Sequence, residues 1–530
     1  MSESAKKQTF LHGTALLAMS TAIVKIIGAF YSIPLKAVIG DQAFGYYSTA
    51  YEIYTLLLMI STAGLPVAMS RMISQASSLE KYAQVRKIYA TARTIFLTLG
   101  VLGTVLMMVF CRQLADFQKQ PNAWITILAL GPACLLICLM STYRGFFQGQ
   151  SNMKPTSVSQ VLEAAVKLAV GLSLAVVILQ LTSTHSYAAG GAIFGVTMSC
   201  LISSFYLSHC FRKSYKDLPA GTDTADSSGT IAKSLLAIAI PITIGSVGLH
   251  ILTVLETRVY MSQLLQFMSQ ETADLQKGIY NFIQKIFNMP CAFITPITIS
   301  IIPAITAQIT TGDLKGAKAT EESAARITAL ISMPCAVGLA VLAEPVTALL
   351  GGYSGEKLVL AANLMRILGI CIIFNATVLL TNAIMQAHGH VNLPVVNMLI
   401  GGFLKLAAIA ILTGNQHIGI LGTPIGSLLC YLSITVLNVF TVRRVLPDPP
   451  AIVKNMLRGL LAAVIMGIGT FGAWFGLKYL GISSSIILCG GPIAVGVILY
   501  VIAAVKFKAI TREDCLLLPK GKKIADLLHL

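Results

Sequence analysis

Phe147-Gln148-Gly149-Gln150-Ser151-Asn152-Met153-Lys154-Pro155 has a counterpart further along the chain, Met385-Gln386-Ala387-His388-Gly389-His390-Val391-Asn392-Leu393-Pro394. Gln, Asn and Pro recur in the same order, at an offset of about 238 residues. Lys167-Leu168-Ala169-Val170 follows the first stretch and Lys405-Leu406-Ala407-Ala408 the second, at nearly equal distances. Pro66 and Pro303 stand at almost the same offset. Chance easily matches one Pro or one Gln. It does not easily match Gln, Asn, Pro and Lys-Leu-Ala in register, so the pattern reads as an internal duplication.

Each of these stretches joins two long apolar segments, and working outward from them organises the chain. Apolar segments bounded by charge, Pro or Gly fall at 11–39, 46–69, 88–110, 123–142, 156–181 and 187–210, a first set of six. A polar stretch over 211–230, rich in Ser, Thr, Asp and Gly, has the composition of a solvated linker. A second six follows at 231–257, 279–306, 323–349, 358–384, 394–413 and 418–442, then two more at 455–479 and 483–506. Each segment holds about the 20 residues that cross a hydrocarbon core of roughly 30 Å. The expected fold is therefore an all-α polytopic membrane protein of about 14 helices. Its expected parts are a six-helix lobe over 1–220, a second over 221–447, an added helix pair over 448–508 and a basic cytoplasmic tail over 509–530. Six helices per half start and end on one side, so the repeats are parallel, and transporters of this plan bind substrate between their halves.

Composition supports the membrane reading. Hydrophobic residues make up 55% of the 530 and charged residues only 11%. Mean hydropathy is +0.78, and a soluble fold this apolar would lack a polar surface. The net charge of +17 does not point to nucleic acid, because no basic run with interleaved aromatics occurs. The excess Lys and Arg instead fall between apolar segments, roughly 25 on one side against 5 on the other by the positive-inside criterion. Lys81, Arg86, Lys87, Arg144, Lys154, Arg212 and Lys213 belong to the rich side, and Arg112, Lys119, Lys277, Lys357 and Lys478 to the poor one. That places both termini in the cytoplasm. Lys6 and Lys7 precede an apolar run too long for a signal peptide, which reads as an uncleaved first helix. The eleven cysteines form no C-x-x-C pair and no ligand-like Cys/His spacing, so they read as small apolar residues.

Charges within the spans are costly, at least about 2.5 to 3.5 kcal/mol each at mid-bilayer, and so they usually face a partner or a wet cavity. Lys25 lies halfway along the first span, Glu163 and Lys167 sit one turn apart in the fifth, Arg366 is in the tenth, and Lys405 takes in the eleventh the place of Lys167. The i, i+4 spacing lets Glu163 and Lys167 neutralise each other. Lys25, Arg366 and Lys405 have no carboxylate at helical spacing. Nearer the outer surface, Lys36, Arg258 and Lys285 can snorkel to the interface. If the deeper cations converge, the cavity is positive and its guest is an anion such as a phosphate or pyrophosphate. A cation exporter would instead want unpaired carboxylates, of which Glu163 is the only deep candidate, and with it a coupling or pairing role. Pro34, Pro66, Pro241 and Pro303 interrupt or flank spans and are candidate hinges, with static kinks as the plain alternative. No nucleotide-binding loop, catalytic triad or metal cluster is present in the sequence, and His388-x-His390 reads as a solvated turn. No cofactor or metal is therefore expected, and energy would come from a coupling ion, the membrane potential or the substrate gradient.

The chain resembles the multidrug/oligosaccharidyl-lipid/polysaccharide (MOP) exporter superfamily, and within it the branch of stage V sporulation protein B and MurJ-type lipid II flippases. The resemblance rests on Lys25-Ile26-Ile27-Gly28, Gly64-Leu65-Pro66-Val67, the turn over 147–155 with Lys167, Ile301-Ile302-Pro303-Ala304 and the 6+6+2 layout. It implies two six-helix lobes around a cavity, alternating access, a helix pair grooved for a polyprenyl tail, and a non-enzymatic role in the bacterial cytoplasmic membrane. Lys25 matches a cavity-lining basic position of that branch, a second basic position is Tyr31 here, and Lys285 matches a cation of the eighth span loosely. The expected cargo is an undecaprenyl-pyrophosphate-linked saccharide, lipid II first among them. The partners implied are that lipid-linked saccharide, membrane lipids and cell-wall synthesis proteins, and no nucleic acid. The rival readings are a flippase for another lipid-linked polysaccharide or teichoic unit, a cation-coupled multidrug exporter, and a non-transporting scaffold for wall or spore assembly.

Overall fold

The computed structural model describes the backbone of residues 3–511 except 222 and 483. It describes the side chains of residues 19–511 except 22, 25, 29, 222, 245, 246, 249, 299, 300 and 483. No strand occurs among the described residues. The chain divides into two compact units, Met1–Gly278 and Ile279–Leu530. The first holds α1 (Glu3–Thr62), α2 (Leu65–Ser78), α3 (Tyr82–Val109), α4 (Cys111–Phe117), α5 (Trp124–Leu130), α6 (Ala133–Gly149), α7 (Lys154–Thr182), α8 (His185–Lys216), α9 (Ser228–Leu264) and the first turns of α10 (Gln270–Thr310). The second holds the rest of α10, then α11 (Leu314–Val341), α12 (Ala343–Gly351), α13 (Gly355–Ala387), α14 (Asn392–Thr413), α15 (Gly422–Val445), α16 (Ile452–Tyr479) and α17 (Ser485–Lys506).

Among the described residues, 12 helical runs are long and apolar enough to cross a membrane. The first of them, Met19–Ser78, holds 60 residues, about 90 Å if straight and far beyond one bilayer. Gly40 breaks it: its φ of 77° lies in the left-handed region, which glycine enters without a Cβ penalty. That run covers the second expected span and all of the first from residue 19 onward. The added pair appears as α16 and α17, close to the bounds read from the sequence. The expected basic tail lies almost wholly outside the described residues.

The distribution of side chains is that of a protein solvated by lipid. Leu102, Phe205, Phe440 and Ile468 are each more than 60% exposed, while Thr142, Ser159, Thr381 and Asn438 are fully buried. Lipid tails leave no hydrophobic drive between helices, so close approach must hold them together. One such close crossing in the first unit joins α7 to α8. Gly191 and Gly195 form a G-x-x-x-G face, and a Cβ on Gly195 would lie 2.3 Å from the Gly171 Cα.

The two repeated stretches close with one geometry. After α6, the Ser151 amide donates to the Gln148 carbonyl at 3.0 Å and the Asn152 amide to the Phe147 carbonyl at 2.9 Å. After α13, Gly389 donates to Gln386 at 3.0 Å and His390 to Met385 at 2.9 Å. The central residue is left-handed in both, Ser151 at φ 58° and Gly389 at φ 83°. This is a six-to-one closure of a helix end, placed at equivalent positions of the repeat.

The polar stretch is shorter and less free than its composition suggests. α8 continues through Lys216, so only the residues before α9 leave helix. The Asp223 carboxylate then accepts hydrogen bonds from the amides of Ala83 (2.8 Å) and Gln84 (2.9 Å). Gln84 Nε2 donates to Asp226 at 2.8 Å, and Arg86 donates to the Leu218 carbonyl at 2.9 Å. The linker thus caps the amides that open α3, which have no partner within the helix.

Candidate functional site

A cavity of about 410 Å³ opens within the first unit, where α1, α2, α6, α7 and α8 meet. Its charged wall is built by α6 and α7. Arg144 Nη2 stands 3.0 Å from Glu163 Oε2, and its Nε donates to Ser159 Oγ at 3.1 Å. Both ionic side chains are mostly shielded, at 15% and 26% exposure. Lys167 follows Glu163 by one helical turn, and its ammonium lies 4.6 Å from the centre of the Tyr51 ring and 5.5 Å from that of Tyr31. A cation over an aromatic face is stabilised by the ring quadrupole, more strongly where water is scarce. Tyr31, Tyr47, Tyr51 and Tyr54 form a chain of rings along α1, with successive centroids 5.8 to 6.5 Å apart. Gln148 and Gln160 add polar groups to the lining.

This arrangement extends the sequence-based expectation at one point and corrects it at another. The helical spacing lets Glu163 neutralise Lys167, and the structure adds Arg144 from the neighbouring helix as the direct partner of its carboxylate, with Lys167 still within its electrostatic reach. A guanidinium offers several donors in a rigid fork and can hold a carboxylate and a hydroxyl together. Arg144 itself was assigned to a loop because the fourth span was ended at 142. α6 in fact runs on through Gly149, so Arg144 is a helix residue lining the cavity. Ending a span at its first charge shortened the helix by two turns. The turn signal over 147–155 marked the true end.

The other candidate residues are distributed as follows. Pro66 lines the cavity at the start of α2, whereas Pro34, Pro241 and Pro303 lie inside α1, α9 and α10. The Lys25 side chain lies outside the described residues. Thr21 and Gly28, one turn to either side of that position, line the cavity. Lys285, Arg366 and Lys405 belong to the second unit. Arg366 is exposed and donates to Asn363 on its own helix at 2.6 Å. Lys285 and Lys405 are half-buried on α10 and α14. Lys36, expected to reach the interface, is buried and paired with Asp41 at 3.3 Å. Arg258 donates to the Phe117 carbonyl at 3.0 Å and lies over that residue's ring.

A second polar centre in the first unit escaped the sequence reading. Lys277, counted there as a loop charge, is fully buried and donates to Thr49. Asp274, equally buried, accepts from Tyr46 at 2.9 Å and from Gln120 at 3.0 Å. Thr257 donates to Glu52 at 2.8 Å nearby. The spacing Asp274-x-x-Lys277 puts both residues on one helix face, which was the available signal.

In the second unit, an apolar groove of about 560 Å³ runs between α10, α11, α16 and α17, with Met289, Phe293, Leu339, Met466 and Ile493 among its walls. Among the described residues no group of three or more His, Cys, Asp or Glu could hold a metal ion.

Residues 10–308 match the family described as Polysaccharide biosynthesis protein. The chain is 25% identical to stage V sporulation protein B of Bacillus subtilis over 526 residues, 97% of this chain and 98% of the relative. It is also 25% identical to the lipid II flippase MurJ of the same organism over 412 residues, 75% of this chain and 76% of the relative. The fold matches a solved structure of lipid II flippase MurJ in an inward closed conformation, with a TM-score of 0.68 at 15% identity, over 93% of this chain and 98% of that one.

Proposed function

Because the chain belongs to the polysaccharide biosynthesis protein family, in the MurJ-type branch of the MOP exporter superfamily, we propose that it is a flippase for a lipid-linked saccharide. The finer reading is an undecaprenyl-pyrophosphate-linked cargo, lipid II in first place, carried from the cytoplasmic to the outer leaflet by alternating access. The observation that carries this reading is the charge of the cavity. Its described walls hold two cations, Arg144 and Lys167, against the single carboxylate of Glu163, and that carboxylate is already engaged. An excess of positive charge in a low-dielectric cleft favours a phosphate-bearing guest. A volume of about 410 Å³ is within the usual range for small-molecule sites. The apolar groove beside α16 and α17 supports a separate seat for a long hydrocarbon tail.

The same charge balance disfavours a cation-coupled drug exporter, since the one carboxylate among the described walls, Glu163, already faces Arg144 and Lys167. Lys25, Lys285, Arg366 and Lys405 stay in the proposal as further headgroup contacts, and Pro34, Pro66, Pro241 and Pro303 as hinges. The energy source belongs to it as well, whether a coupling ion or the membrane potential, as do partners from cell-wall synthesis and an orientation with both termini cytoplasmic.

Purified protein in vesicles loaded with a lipid-linked saccharide tests the proposal, with translocation read from the exposure of the headgroup to an external reagent. Lys167→Ala and Lys25→Ala are expected to insert normally and lose transport. Undiminished transport by both variants would sink the headgroup assignment. No transport by the unaltered protein, with any lipid-linked saccharide, would favour the scaffold reading.

A further inference from the structure

Outside the cavity, a second hollow of about 450 Å³ lies between α3 and the end of α8, lined by Tyr89, Arg93, Thr94, Leu97, Phe211 and Tyr215. Its features are those of a surface that meets lipid rather than protein. Tyr89, Arg93, Leu97, Val101 and Val105 follow one another at i+4, neighbour touching neighbour, in a row that winds obliquely along α3 from the hollow to the exposed side. Val101 and Val105 are 48% and 47% exposed, and Thr94 and Arg93 are exposed with them. Among the described residues no carboxylate pairs with Arg93. The helix is 28 residues long, about 42 Å, and Arg93 lies about 16 Å from its first residue. Counted from residue 88, where the apolar span begins, that is about 8 Å inside a core of roughly 30 Å, a depth from which a long side chain can snorkel to headgroup level. An unpaired guanidinium there is costly unless it reaches a phosphate or water.

The surroundings set the sign and the side. Arg86 lies over the Tyr215 ring at 4.9 Å, and Lys213 and Lys216 occupy the last turn of α8. Tyr89 is stacked on Phe211 at 4.4 Å, so the aromatic floor is fixed by packing. Belts of aromatic and basic residues sit at headgroup level. This basic end is the one the positive-inside pattern assigns to the cytoplasm.

We infer that this hollow binds one anionic phospholipid of the cytoplasmic leaflet. Its phosphate sits on the Arg93 guanidinium beside Tyr89 and Tyr215, and an acyl chain lies along Leu97, Val101 and Val105. The row from Arg93 to Val105 runs about 18 Å, somewhat more than half the hydrocarbon thickness, as a single leaflet's chain requires. None of its walls belongs to the charged cavity, so the site is separate from cargo recognition and does not depend on the proposed flippase activity.

The test uses the full-length protein in a neutral detergent and reads its melting temperature during titration with phosphatidylglycerol, phosphatidylcholine, glycerol phosphate or a polyprenyl pyrophosphate. Phosphatidylglycerol is expected to raise the melting temperature saturably and phosphatidylcholine to do so only weakly. Arg93→Gln is expected to weaken the phosphatidylglycerol response by about tenfold or more, the worth of one charge-assisted hydrogen bond, while Arg93→Lys keeps most of it. Leu97→Trp, which fills the hollow and leaves the charge, is expected to weaken it too. Equal responses to the two phospholipids, or an Arg93→Gln variant that responds as the unaltered protein does, would overturn the site. A full response to glycerol phosphate alone would make it a phosphate site rather than a lipid site. Preferential binding of the polyprenyl pyrophosphate, lost in Arg93→Gln, would make it a cargo dock, and this too would overturn the inference.

Discussion

Arg144 and Glu163 meet at 3.0 Å across the junction of α6 and α7, and that contact leaves Lys167 to the aromatic rings of α1. The pair is shielded enough that removing one partner strands the other. Glu163→Gln is expected to release Arg144 and weaken folding by about 2 kcal/mol, below the 3 to 5 kcal/mol of a fully buried pair. Arg144→Ala should do the same, and Arg144→Ala with Glu163→Gln should cost less than the sum of the two. A double-mutant cycle in detergent-solubilised protein checks this. Strict additivity would mean that the two side chains do not interact.

Lys277 is the cation of a fully buried cluster that also holds Asp274. Lys277→Met is expected to destabilise the first unit by about 3 to 5 kcal/mol, because it leaves the fully buried Asp274 without its neighbouring cation, with the half-buried Glu52 close by. Adding Asp274→Asn should recover part of the loss. The measurement is the unfolding midpoint of the single and double variants, and a double variant no better than the single one would contradict the charge argument.

Ser151 and Gly389 occupy one structural position in the two repeated turns, but only the glycine enters the left-handed region freely. Ser151→Gly is expected to stabilise the protein by about 1 kcal/mol, and Gly389→Ala to destabilise it by a similar amount. A Cβ at Gly389 meets no atom within 4 Å, so the second effect would be conformational and not steric. Melting temperatures of opposite sign relative to the unaltered chain are the expected reading.

Asp223 anchors the linker on the opening amides of α3. Desolvation works against its charged form, but the hydrogen bonds from Ala83 and Gln84 outweigh it and hold the pKa below the ordinary value. The contribution of this group to stability is therefore full above the ordinary carboxylate range, near about 3.9, and is lost as pH falls through the lowered folded value. Asp223→Asn should lower the melting temperature at pH 7 and remove this part of the acid dependence. Protease cleavage within 217–227 should become faster in that variant.

The apolar periodicity, the positive-inside bias and the repeated turns made the helical membrane fold and the family legible from the sequence, because each is a local consequence of lipid solvation and backbone chemistry. Lys167 and Glu163 were recognised as site candidates for the same reason, since a charge within an apolar span is conspicuous wherever it points. Their partners were not. Arg144 was hidden by a span boundary drawn at the first charge, and Lys277 by its closeness to a turn. Whether a charge near a helix end meets water, lipid or a carboxylate depends on which helices are neighbours. Tertiary structure alone decided that Glu163 meets Arg144, that Lys167 lies over the rings of Tyr31 and Tyr51, and that Arg93 faces outward beside Tyr89. The first two are contacts between residues on different helices, and helix packing sets them: a G-x-x-x-G face such as Gly191 to Gly195 shows in the order of the residues, but not which helix it meets.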